Sequence, residues 1–196
     1  MRKIFNHDGF TLIEMLVSMS VIVVVGGLVT SILISSLRGT NKTNTLTSVS
    51  QNGSFAVNQI AKMTQGAQSF DGVSTDNTAY LLNCVIPSSP TPTPTPTQYK
   101  YLKITSFDGG QTTFSCDAGS NILSSNSASL IDTNAVVLAS CYFICTQNTP
   151  YDYPVININF SLNAKQQSGA LLLPERTASA TALPFQTSVT VRNMAR

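Results

Sequence analysis

The chain has 196 residues and a formal net charge of +2, from 11 Lys+Arg against 9 Asp+Glu. That is enough for one ordinary domain plus one long extra element, and too little charge for a nucleic-acid-binding patch. Charged residues make up only 10% of the chain and the only histidine is His7, so Ser-His-Asp catalysis, Cys-His catalysis and His-ligated zinc have no imidazole downstream of residue 7.

Residues Met1 to Gly9 are short and polar, with Arg2 and Lys3 near the start. From Phe10 to Leu37 the chain is almost wholly apolar, and Glu14 is the one charged residue in that run. As a helix the run spans about 42 Å, more than the roughly 30 Å hydrocarbon core of a bilayer. It is too long for an ordinary signal-peptide h-region, and no A-x-A site follows it. Arg2 and Lys3 favour a cytoplasmic N-terminus, a bias that Arg38 and Lys42 at the far end weaken. A plain signal anchor would account for the hydropathy but not for Glu14. A carboxylate near the start of a membrane helix costs a few kcal/mol if unpaired. A partner would arise if the chain were cut after Gly9, because Phe10 would then carry a new α-amine. In a bundle of subunits that amine could meet Glu14 of a neighbour and fix the axial stagger. Glu14 is also one turn from Phe10 in its own chain, so an intrachain pair is the alternative.

The segment Gly9-Phe10-Thr11-Leu12-Ile13-Glu14-Met15-Leu16 and its context resemble the processing site of type IV prepilins and type II secretion pseudopilins. The resemblance covers roughly residues 1–40. It implies a leader, residues 1–9, removed by a prepilin peptidase between Gly9 and Phe10, with N-methylation of Phe10. It also implies that Glu14 is the assembly carboxylate, and that the partners are other pilin or pseudopilin subunits, an assembly platform and an ATPase. Against a third reading, a tethered enzyme, stand the missing histidines, the dispersed carboxylates and the lack of a phosphate loop or nucleophile motif, so no cofactor and no enzymatic activity are expected. One departure is that no proline precedes Pro87, whereas many pilins have a helix-bending proline. Gly26-Gly27 could supply flexibility instead, or allow close helix packing.

Beyond the membrane-spanning residues 10–37, apolar residues at Leu46, Val49, Ala56, Val57, Ile60, Ala61 and Met63 extend the helix through residues 38–69 with one buried stripe. Gly66 marks its end, and a free amphipathic stalk is the alternative to packing on a sheet. Residues 70–196 read as a β-rich head. Ala79–Ile86 and Tyr99–Phe107 read as strands, the latter turning at Asp108-Gly109 into Gln111–Cys116. Ala135–Ile144 is more continuously apolar and reads as central, whereas Val155–Asn163 and Phe185–Arg192 alternate cleanly. The expected fold class is α+β, a long N-terminal helix packed on an antiparallel sheet.

The Pro/Thr-rich stretch 87–97 excludes helix and ladder and favours an extended loop. It is either a glycosylated or partner-binding projection or a tolerated insertion. Cys84, Cys116, Cys141 and Cys145 lie outside CxxC pairs, and behind an export signal they favour disulfides over a metal site. Cys141 and Cys145 would sit about 13 Å apart in a regular strand, so either the strand bends or each pairs elsewhere. The favoured pairing at this level is Cys84–Cys116 with Cys141–Cys145. The closing strand Phe185–Asn193 resembles that of the larger minor pilins and J-type minor pseudopilins. Together these features lead to a structural filament subunit, more in keeping with a minor than a major one. The rival reading is a membrane-tethered adhesin or DNA-uptake module on the same export route.

Overall fold

A computed structural model describes residues 11–85, 96–165 and 182–191. The chain divides into two compact units, Met1–Asn44 and Thr45–Arg196. One helix, α1 (Leu12–Gln65), begins in the first and ends in the second. The first unit contributes the apolar half of α1, and its long side chains from Leu12 to Leu37 are exposed. This half is long and apolar enough to cross a membrane. Three of its hydroxyls turn back on the helix, with Ser18, Ser20 and Thr30 donating to the carbonyls of Met15, Val17 and Gly26. They therefore need no water, as a bilayer interior requires.

The second unit is an α+β head. The last turns of α1 bury Val49, Gly53, Ala56, Ile60 and Thr64. These recur at three- and four-residue spacing, one face of a helix. Leu46, assigned to the stripe from sequence, is exposed. The helix stops where Gly66 N–H donates to Lys62 O at 3.0 Å. Two antiparallel sheets follow, where one was expected. The first runs in order β1 (Ser69–Ser74), β2 (Tyr101–Thr105), β3 (Gln111–Asp117), β4 (Ile122–Ser125) and β5 (Ala128–Ser129). The second is β6 (Val136–Thr146), β7 (Val155–Ala164) and β8 (Leu183–Thr190), in that order. Phe114, Phe143, Ile60, Leu102, Ile104 and Ile156 are fully buried in the shared core.

Several strands differ from expectation. The stretch expected as Ala79–Ile86 makes only isolated bridges, Leu81 to Val73 and Val85 to Gln147, and Ile86 lies outside the described residues. A turn precedes it. Asp76 accepts bonds from Thr78 Oγ1 (2.6 Å) and Thr78 N–H (3.0 Å), and Asn77 adopts a left-handed φ of 66°. Those bonds, the Thr78 hydroxyl first, hold the Asp76 carboxyl well below the usual carboxylate range. The edge strand is instead β1, disguised in the sequence by a bulge between Phe70 and Gly72 that breaks the period of two. Strands β4 and β5 were hidden in Ser- and Asn-rich sequence. They are joined by Asn126 and Ser127, both at positive φ, the geometry of a tight two-residue hairpin.

Strand β6 is an edge of its sheet, and β7 is the centre. Its apolar run is explained by a bulge between Leu138 and Ser140. Val136 and Leu138 face the core on one side of it, Phe143 and Cys145 on the other, with Cys141 half-buried. Cys141 and Cys145 thus share one face four residues apart and cannot reach each other. The observed bonds are Cys84–Cys145 and Cys116–Cys141, with Cα separations of 5.5 and 5.4 Å. The pairing favoured from sequence is therefore incorrect. It assumed Cys84 in a strand of the meander, and that strand does not form. Cys116–Cys141 ties β3 to β6 and so joins the two sheets. Each bond closes a loop worth about 3–4.5 kcal/mol of unfolded-state entropy.

Phe185 of β8 seats its ring on Gly53 of α1, where a Cβ would fall 2.1 Å from the ring. The same ring stacks on Phe160 with centroids 5.4 Å apart. Gly53→Ala is expected to destabilise the head by about 1–3 kcal/mol through overpacking. In a Phe185→Ala background the same change is expected to be neutral or favourable, since Ala exceeds Gly by about 1 kcal/mol in a helix. A thermodynamic cycle from denaturant titrations reads both. Proteolysis without reductant followed by peptide mass mapping is expected to recover Cys84 linked to Cys145 and Cys116 linked to Cys141. A Cys84–Cys116 peptide would contradict the fold.

Candidate assembly site at the helix N-terminus

The sequence singled out Gly9, Phe10 and Glu14. Gly9 and Phe10 lie outside the described residues, and Glu14 lies in the first turn of α1. Its carboxylate is engaged locally. Thr11 donates to Glu14 Oε2 twice, from its backbone N–H at 3.1 Å and from its hydroxyl at 3.1 Å. The Glu14 N–H donates back to Thr11 Oγ1 at 3.3 Å. This is a reciprocal capping box, with Thr11 as N-cap and Glu14 three residues on. It satisfies amide donors that a helix start leaves open, and it places a negative group at the positive end of the helix dipole.

Sequence reasoning did not identify the role of Thr11. The signal was present in Thr11-Leu12-Ile13-Glu14, a Thr and a Glu at capping-box spacing directly ahead of an apolar run. Both side-chain bonds fall on Oε2. Among the described residues nothing bonds Oε1, so one oxygen remains able to accept from a further donor. Around this polar turn the helix surface is apolar and open, with Leu12 83% and Ile13 65% exposed. Further along, Gly26 and Gly27 sit inside the unbroken helix, and a Cβ built on either would meet nothing within 4 Å.

Residues 4–30 match the family model described as the prokaryotic N-terminal methylation motif. The chain carries the N-terminal signature of type IV prepilins and pseudopilins. The pilin-type motif implies processing by prepilin peptidase and assembly with other pilins. Together with the apolar helix that begins inside it, the motif fits a membrane-anchored precursor that ends up in a surface filament. No curated protein and no solved structure matches the chain. The prepilin signature ends at residue 30, so the head is known from its own structure. There all four cysteines are consumed in disulfides.

Because Thr11 caps the helix through both its backbone and its hydroxyl, Thr11→Ala is expected to weaken the first turn by about 1 kcal/mol. Amide hydrogen exchange of the detergent-solubilised protein should show this as roughly fivefold faster exchange at Glu14 and Met15, whose N–H groups bond to Thr11, with residues beyond Val21 unchanged.

Proposed function

We propose that this chain is a minor subunit of a type IV pilus or a type II secretion-like pseudopilus. The observation that carries the reading is a single carboxylate, Glu14, in the first turn of an apolar helix and inside the segment that matches the methylation motif. In this reading residues 1–9 are a leader, and prepilin peptidase cuts between Gly9 and Phe10 and methylates the new Phe10 amine. Residues 10–37 hold the precursor in the cytoplasmic membrane with the N-terminus inside. From residue 38 the helix continues on the far side to Gln65, short of the residue 69 expected from sequence, and 70–196 form the outward head. An assembly platform and an ATPase then extract the subunit into the filament.

Glu14 acts at that last step. Its cap uses Oε2, so Oε1 can accept the methylated Phe10 amine of a neighbouring subunit without loss of the helix start. Where water is scarce, a pair of opposite charges a few ångströms apart attract far more strongly than at a surface. The contact therefore selects one axial register among the many that apolar helices would otherwise allow. The minor assignment rests on the size of the head and its Pro/Thr-rich stretch 87–97, which falls mostly outside the described residues. A densely repeating fibre surface would have to accommodate that stretch at every subunit.

Two substitutions separate charge from capping. Glu14→Gln keeps an oxygen able to accept from Thr11 and removes the charge, whereas Glu14→Ala removes both. Both variants are expected to be processed to a chain that starts at N-methylated Phe10, read by intact mass. Both are expected to fall at least tenfold in sheared filament fractions relative to membrane fractions. Normal incorporation of Glu14→Gln would assign Glu14 to the cap alone. A mature chain starting at Met1 would remove the prepilin reading altogether.

A further inference from the structure

The two sheets have four edges, and three of them are guarded. Strand β1 carries the Gly72 bulge and an antiparallel bridge in which Val73 and Leu81 exchange bonds of 3.1 and 2.8 Å. Strand β5 is two residues long. The outer edge of β6 is met by Tyr99 opposite Phe143 and by Val85 opposite Gln147, with both disulfides alongside. Strand β8 differs, because among the described residues its eight positions pair with β7 and with nothing else.

The direction of its free groups follows from one bond. Val191 N–H donates to Pro154 O at 3.1 Å, continuing the register that sets Thr190 opposite Val155. In an antiparallel ladder successive residues point their N–H and C=O to opposite sides. Phe185, Thr187 and Val189 therefore spend their backbone bonds on β7, and Gln186, Ser188 and Thr190 present theirs outward. Pro184 falls in the outward set, where its missing N–H costs no ladder bond. Natural sheets protect such edges with charges, central prolines, bulges or short length. From Phe185 to Thr190, β8 has no charge, no proline and an unshifted register, and it is built largely of strand-favouring residues.

We propose that the outer edge of β8 is a docking rail for an extended strand supplied by another pilin-type subunit, bound through the backbone of Gln186, Ser188 and Thr190. A row of alternating donors and acceptors recognises an extended polypeptide backbone. Other pilins are the polypeptides that the processing motif brings beside this chain, held there at high effective concentration. The inference rests on the pilin reading above.

The test uses the full-length protein in its native host, with the photo-crosslinker p-benzoylphenylalanine at position 186 or 190, and at Asn159 in mid-sheet as control. Positions 186 and 190 are expected to yield an adduct that mass spectrometry identifies as a pilin-type subunit, and position 159 none. Gln186→Pro removes one outward N–H and leaves the β7 bonds intact. It is expected to abolish the adduct from position 190 and to cut filament incorporation at least fivefold, with both disulfides still formed. Should Gln186→Pro fail to form its disulfides, Gln186→Lys decides instead, since it keeps the backbone and sets a charge on the edge. The absence of any adduct, an adduct with a protein that is not a pilin, or normal incorporation of the folded edge variant would overturn the proposal. Absence of the unmodified protein from filaments would instead overturn the pilin reading on which it rests.

Discussion

A carboxylate in a helix otherwise built for hydrocarbon is the constraint from which the rest follows. Leaving Glu14 unpaired in a bilayer costs a few kcal/mol, and the first turn reduces that cost by folding Thr11 around one oxygen. The cap is incomplete as a neutralising device, because it supplies neutral donors and no positive charge. Apolar packing between such helices has little preference for one register over the next. In the proposed assembly, the group that discriminates is the carboxylate oxygen left over at the cap.

The head solves a different problem. Only 10% of the chain is charged, so ionic networks cannot hold it together. The one ion pair among the described residues, Lys100–Asp117 at 3.0 Å, is solvent-exposed and worth about 0–1 kcal/mol. Cohesion comes from the buried apolar faces and from β6. Beyond the bulge, the regular alternation of β6 sets Cys141 and Cys145 on one face, one reaching Cys116 in the first sheet and the other Cys84 beyond β1. Gln147 extends the same clamp, accepting from Cys84 N–H at 2.5 Å and donating to Asp152 O at 2.8 Å. On the other flank Gly53 admits the Phe185 ring, which makes a glycine in mid-helix a packing requirement.

Much of this was legible because periodicity reports burial. The alternation of Ile156, Ile158, Phe160 and Leu162 gave β7, and Asp108-Gly109 gave the β2–β3 hairpin. The Gly9–Leu16 segment gave the family signature. What was not legible has a common cause in local geometry that breaks the period. Bulges at Gly72 and after Leu138 shift the parity of β1 and β6. The positive φ of Asn126 and Ser127 folds a hairpin in sequence that reads as loop. Disulfide pairing depends on which strands are neighbours, and no spacing rule supplies that. The cap by Thr11 was legible in principle, because its motif lies in the chain, but the membrane argument drew attention to the charge of Glu14 rather than to its hydrogen bonds.

The central claim is that Glu14 bridges two subunits. A high-resolution map of filaments that contain this chain tests it most directly, by placing the Glu14 carboxylate relative to the methylated nitrogen of Phe10. The account predicts that nitrogen within about 4 Å of Glu14 on a different subunit, with Thr11 still capping the same carboxylate. A map in which Glu14 contacts only its own chain, with no neighbouring amine in reach, would contradict it.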